Sequence, residues 1–197
     1  MTDNTTSLWE VFTREMNGEY IKRYYWHSDK AVVDYKDYKI IFDNYTHHTT
    51  AGGNAYKQGY TRVRIPYASS DNFRFDLYRQ KFFSTVAKIF GAQDVVIGSP
   101  EFDKKYIIKA NDAFTVKALL GSGAIQKKIE AIPTINLQIS DRKGIWGRKL
   151  PTGQMELCFF TEGEISNIPH LKDIHSLMTT LIDRLEEIGS AEKQKLG

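Results

Sequence analysis

Apolar residues recur along this chain at two spacings, and each switch between them marks an element. Leu8, Val11, Phe12 and Met16 fall three and four apart behind Ser7 and Glu10, which have the spacing of a capping box. A first helix is predicted there, ended by Gly18 as its C′ residue. Glu19 to Trp26 fits helix and strand equally. From Ala31 the period is two. Tyr38, Ile40 and Phe42 alternate with Lys39, Ile41 and Asp43, and Gly52 and Gly53 read as a hairpin connection. Thr61, Val63 and Ile65 then alternate with Tyr60, Arg62 and Arg64, and Phe73, Phe75 and Leu77 with Arg74, Asp76 and Tyr78. Three successive strands with short connections predict an antiparallel meander with one dry face.

Phe82, Phe83, Val86, Ile89 and Phe90 return to helical spacing up to Gly91. Val95 to Ile97 and Tyr106 to Ile108 are short apolar runs split by Gly98, Ser99 and Pro100, a strand–turn–strand signal. Asn111 is the expected cap of a helix carrying Ala113, Val116, Leu119 and Leu120, and Ser122 of another carrying Ile125, Ile129 and Ile132. Ile135, Leu137 and Ile139, then Met155, Leu157 and Phe159, alternate as strands on either side of a turn at Ser140 to Gly144. Beyond Pro169 an apolar stripe from Leu171 to Ile188 spans about five turns. The predicted fold is α+β: a mostly antiparallel β-sheet flanked by several helices, with a long C-terminal helix. It is expected as a single domain over residues 1–190 with a flexible tail over 191–197.

Composition narrows the function classes. A chain of 197 residues can bury one substantial core. The 27 basic residues nearly cancel the 24 acidic ones, and a net +3 weighs against a polyanion partner such as nucleic acid. The one cysteine, Cys158, excludes an intrachain disulfide framework, and its role is open between a wet thiol and a small core residue. The start lacks the pattern of a signal peptide, and no apolar run reaches the roughly 18 residues of a membrane helix. A cytoplasmic location without membrane association is the expectation.

Several segments together resemble a family of bacterial soluble proteins of unknown function. They are Tyr60 to Pro66, Phe73 to Arg79, Lys88 to Gly91 with Gln93 and Asp94, Ile97 with Gly98, Glu101 to Asp103, Ile107 to Lys109 with Asn111, and Ile188 to Ala191. The portion from Glu101 into the following helix also looks like a domain of unknown function that elsewhere follows membrane-spanning helices, which this chain lacks. The resemblance implies a domain, with neither activity nor catalytic residues attached to it.

The most suggestive chemistry is a basic, aromatic strand face built from Tyr60, Arg62, Arg64, Arg74 and Tyr78. Strand aromatics beside basic residues are how some domains stack RNA bases, but Thr61 stands where that pattern wants Gly or Ala. Asp43, on the neighbouring strand, is placed to neutralise Arg62 or Arg64 across the ladder, so a solvated, salt-paired face is the expected outcome. The other candidates are plainer. His47 and His48 are adjacent, His170 and His175 are five apart, and His27 stands alone, so no pair has the spacing that shares a metal ion. Glu101 and Asp103 would project from one side of a strand entry beside Lys104 and Lys105. Ser122 has no Gly-x-Ser-x-Gly around it, and Gly52 and Gly53 lack the Lys-Ser/Thr of a phosphate loop.

No catalytic residue, metal ligand or cofactor is therefore assigned. The leading expectation is a non-catalytic interaction or ligand-binding module of unknown partner, with an aromatic surface that would permit self-association. Two alternatives stand beside it: a small-molecule-binding protein or enzyme with a pocket between sheet and last helix, and a weak anion or nucleic-acid binder using the basic face.

Overall fold

The computed structural model describes residues 7–23, 28–51, 54–79 and 93–192. Its elements in chain order are α1 (Leu8–Met16), β1 (Glu19–Ile21), β2 (Lys30–Tyr35), β3 (Tyr38–Ala51), β4 (Asn54–Ser69), β5 (Phe75–Arg79), β6 (Gln93–Asp94), α2 (Pro100–Lys105), β7 (Tyr106–Ala110), α3 (Ala113–Leu120), α4 (Gly123–Glu130), β8 (Asn136–Ser140), β9 (Gln154–Glu162), α5 (Ile168–Glu187) and β10 (Ala191–Glu192). The strands form one sheet in the order β1-β2-β3-β4-β9-β8-β5-β7-β6, with β10 added beside β4. Every strand pair in it is antiparallel. The α+β class expected from the two spacings is the one found.

Register explains where the core sits. One row crosses seven strands: Ala31, Phe42, Val63, Phe159, Leu137, Leu77 and Ile108 are successive cross-strand partners. All seven are buried, as alternation requires when one face is dry. The helices cover that face. Trp9 and Phe12 of α1 pack on Phe42, with the Phe12 and Phe42 ring centres 4.7 Å apart. Leu171, Ile174, Leu177, Met178, Leu181, Ile182 and Leu185 of α5 are buried in the same cluster. Tyr35 and Tyr38 donate to Asp183 and Glu186 and tie the β2–β3 turn to this helix.

Several local readings are corrected. The meander is interrupted, because β9 and β8 lie between β4 and β5 and bring Leu157 and Phe159 against Ile65 and Val63. Val95 to Ile97 is not a strand; Pro100 opens the short helix α2, with acidic residues in its first turn and lysines in its last. The left-handed residue after α1 is Asn17, at φ 52°, while Gly18 lies so near β2 that a Cβ on it would meet the Val32 carbonyl at 2.5 Å. Asp112, not Asn111, caps α3 through the amides of Phe114 and Thr115; Asn111 instead accepts the Arg74 amide and donates to Asn72. Ala191 and Glu192, expected to begin the tail, pair with Ser69 and Ala68. The helix read over Phe82 to Phe90 and the turn at Gly52 and Gly53 lie outside the described residues.

Two caps offer a contrast. Asp112 holds two amides of α3, whereas Ser122 at the start of α4 makes no side-chain cap bond. Asp112→Ala is expected to cost about 1 kcal/mol in urea unfolding and Ser122→Ala a few tenths; equal losses would contradict the assignment.

Candidate functional site

The described helices leave the other face of the sheet to be dried by different means. Its side chains belong to two cross-strand rows. One is Lys30, Asp43, Arg62, Phe160, Asn136, Tyr78 and Ile107; the other is Ile41, Arg64, Cys158, Gln138, Asp76 and Lys109. Arg62 and Arg64, expected to be solvated, are buried at 8% and 2% exposure, and Asp43 and Glu156 with them at 2%. The cross-strand pair of Asp43 with Arg62 is as expected from sequence: Nε and Nη2 of Arg62 donate to Oδ1 and Oδ2 at 2.9 and 3.1 Å. Arg64 bridges two carboxylates, donating to Asp43 Oδ2 and Glu156 Oε2, each at 3.1 Å. Burial works against charge on Arg64, but Glu156 and Asp43 outweigh it and hold its pKa above the usual arginine value. Burial likewise pushes the Glu156 carboxyl up, while Arg64 and the Gly144 amide favour the anion. With both donors at hydrogen-bonding distance, we take the pair as ionised.

The segment 141–150 closes over this network. Glu156 Oε1 accepts the Gly144 N–H at 2.5 Å, and Arg62 Nη1 donates to the Gly144 carbonyl at 3.0 Å. Gly144 has φ +59°, and a Cβ there would meet Arg62 Nη1 at 2.5 Å, so the loop's closest approach needs glycine. Next to it Ile145 is buried with Tyr60, Cys158 and Phe160, and Trp146 packs against that small cluster. Trp146 stacks on Tyr45 and His47 at 5.4 and 4.8 Å between ring centres and leans on Tyr60 at 4.8 Å. The Arg62 guanidinium lies 4.0 Å over the Tyr45 ring.

Of the five residues singled out from sequence, the fold brings Tyr60, Arg62 and Arg64 together and separates the other two. Arg74 pairs with Asp141 at 3.0 Å, and Tyr78 is half-buried beside Asn136. Tyr60 has Trp146 against it. Asp103 lies on α2, not on a strand, and accepts the amides of Ile97, Gly98 and Ser99, which is a turn-holding role. His175 is half-buried against Phe42, and burial lowers its pKa. His27 lies outside the described residues, among which no cluster of His, Cys, Asp or Glu could hold a metal ion. Cys158 is buried and its thiol pKa is pushed well up, which resolves it as a dry, unreactive packing residue.

Sequence reasoning missed Lys30, Glu156, Gly144 and Asp76. Glu156 had a signal, a lone carboxylate inside the apolar run Met155 to Phe160. Asp76 is buried, accepts from Gln138 Nε2 at 2.6 Å, and burial pushes its pKa up to about 7.

The open clefts formed by described residues include three of about 600 Å³ or more. One of about 620 Å³ lies against Arg64 and Glu156 with Lys143, Arg148 and Lys149 around it. Another of about 750 Å³ wraps the β3–β4 ladder: Asp43, Tyr45 and Arg62 line it from this face with Lys30 and Arg23, and Asn44, Thr46, His48 and Lys57 alternate with them toward the other. A third of about 600 Å³ lies on the helical side, between α3, α4 and α5. No described helix is long and apolar enough to cross a membrane.

No protein-family model matches the chain, and no curated protein sequence matches it. A solved structure does: the crystal structure of the mycobacterial trehalose monomycolate transport factor A, TtfA, shares the fold with a TM-score of 0.56 at 7% identity, over 93% of this chain and 96% of that one.

Two measurements test the buried charges. Arg64→Met leaves Glu156 without its guanidinium and is expected to cost about 3–5 kcal/mol in urea unfolding, with part recovered when Glu156→Gln is added. For Asp76 the sign follows from a folded pKa near 7 against an ordinary 3.8. Below pH 4 both states are neutral; between pH 4 and 7 only the unfolded state sheds its proton, so stability falls by about 1.4 kcal/mol per pH unit and then levels off. Asp76→Asn, which still accepts from Gln138, should melt like the parent near pH 4 and progressively higher than it up to pH 7. A pH-independent difference would place the Asp76 carboxyl in the ordinary range.

Proposed function

We propose that this chain is a non-catalytic binding module whose ligand docks on the sheet face opposite the described helices and presents negative charge to it. The observation that carries this reading is the make-up of the two clefts walled by Arg64 and Arg62. Each has one buried, carboxylate-paired arginine in its wall and further cations around it: Lys143, Arg148 and Lys149 on one side, Arg23 and Lys30 on the other. The inner arginines are held by Asp43 and Glu156, which makes them part of the scaffold, and the outer cations are what a ligand would meet.

Two further observations favour binding over the alternatives. Between the sheet and α5, where an enzyme-like pocket was the rival expectation, Leu177, Leu181 and Ile182 are fully buried against the core. Tyr60, which a nucleic-acid platform would present to bases, is buried against Trp146. The likeness of fold to a protein titled a transport factor accords with handling a ligand without transforming it.

A titration with inorganic pyrophosphate followed by amide NMR tests the reading. Shifts are expected on the open face, in 143–150 and in 30–46, and are expected to weaken with added salt. Shifts confined to the helical side, around Lys117 to Ile125 and Asp183 to Glu187, or none at all, would sink it.

A further inference from the structure

The open-face reading, on which this inference rests, leaves the ligand's chemistry coarse, and the cleft between β2, β3 and β4 refines it. Four side-chain cations, Arg23, Lys30, Lys57 and Arg62, line it against two carboxylates, Asp43 and Glu164. Asp43 is already spent. Its Oδ1 accepts from Arg62, and its Oδ2 accepts from both Arg62 and Arg64. Lys30 Nζ approaches that same Oδ2 only to 3.8 Å, beyond hydrogen-bond reach, although its side chain is just 19% exposed.

Lys30 is thus an ammonium with three donors, largely withdrawn from water, facing an acceptor that three other N–H groups occupy. Burial pulls its pKa down; Asp43 works against that, and the positive charge of Arg64, Arg23 and Lys143 adds to it. The position is not a loose surface accident. Strand pairing sets Lys30 opposite Asp43 and Asp43 opposite Arg62, so its backbone is fixed at the cleft. Arg23 and Lys57 make no ion pair with a described residue. Arg62 donates to Asp43 and to the Gly144 carbonyl, and so adds field more than contacts.

We propose that this cleft is a binding site for a phosphate-type oxyanion, with Lys30 as the cation held in reserve for it and Arg23 completing the shell. Two more cations than carboxylates line the cleft, which is the charge a phosphate dianion neutralises. The same group is offered by a soluble phosphate compound and by a phospholipid headgroup.

Calorimetry with inorganic pyrophosphate, beside flotation with phosphatidic acid and phosphatidylcholine vesicles, tests the site on the full chain. The parent is expected to bind pyrophosphate, and Lys30→Met to weaken it at least about tenfold while melting no lower than the parent, since a half-buried cation without a hydrogen-bonded carboxylate has gone. Arg23→Glu, at an exposed position of the same cleft, is the second variant should Lys30→Met fold poorly, and a loss of similar size is expected. Arg148→Glu, at the other cleft, should change the affinity less than about twofold. Binding to phosphatidic acid vesicles but not to pyrophosphate, lost in the same two variants, supports the site with a lipid headgroup as its source. Affinity for pyrophosphate and vesicles untouched by both variants overturns the site; if it falls only in Arg148→Glu, the ligand sits at the other cleft and the open-face reading survives. No binding of either probe by the parent removes both.

Discussion

A sheet has two faces, and among the described residues the helices cover only one of them. Whatever dries the second face must therefore come from strands and loops, and the pairing of Arg64 with Asp43 and Glu156 is what does so at its centre. Assembling such a group out of water is costly, and its attraction compensates only when the geometry leaves few hydrogen-bonding positions open. Glu156 meets that demand by serving two partners, one oxygen on Arg64 and the other on the Gly144 amide. The same interaction thus holds β3, β4 and β9 in register and pins the 141–150 loop over them. A slip by one residue in β4 would turn Arg62 and Arg64 into the helical core and expose Val63 and Ile65.

The clefts follow from that arrangement. The loop crosses the network at Gly144 and Ile145, and the two clefts are each walled by one of the inner arginines. Trp146 seals one flank by stacking on Tyr45 and His47. The carboxylates of Asp43 and Glu156 deepest in the face are spoken for within the fold, Arg64 Nε, Asn136 Oδ1 and Gln138 Oε1 are buried without a hydrogen-bond partner, and the cleft rims are mostly basic. The face as a whole is structured as a dry, ionic floor with wet, cationic margins.

Much of the scaffold was legible because alternation is local. Tyr38 to Asp43, Tyr60 to Ile65 and Phe73 to Tyr78 each put on the helical side the residues that the period of two assigned to it. The stripe of α5 was equally plain. The strand order was not, because insertion of β9 and β8 between β4 and β5 depends on contacts between distant segments, and no local pattern records it. In the short helix α2, an apolar run on either side drew the reading toward strands, although Pro100, Glu101 and Lys105 carry helix-end chemistry. The site was half visible. Asp43 opposite Arg62 could be read from alternation, but burial of both could not, since charged side chains on the outer face of a strand are ordinarily wet. Lys30 gave no sign at all: its long 3.8 Å approach to a carboxylate already bonded to two arginines is a fact about three dimensions.

The pairing of β4 with β9 sets Arg64 opposite Cys158 and Thr61 opposite Thr161. During synthesis the edge of β4 that β9 will occupy emerges long before its partner, and it carries Val63 and Ile65 with it. Until the ribosome has released the chain through about Glu162, that greasy, unpaired edge has no native cover and is open to capture by other nascent chains. Non-local closure of this kind makes folding slow relative to hairpins such as β2–β3, which form within the part already translated. The order of the strands in the finished sheet is thereby also a schedule, in which the centre of the nine-strand path is filled after both of its flanks, and only the short β10 follows it.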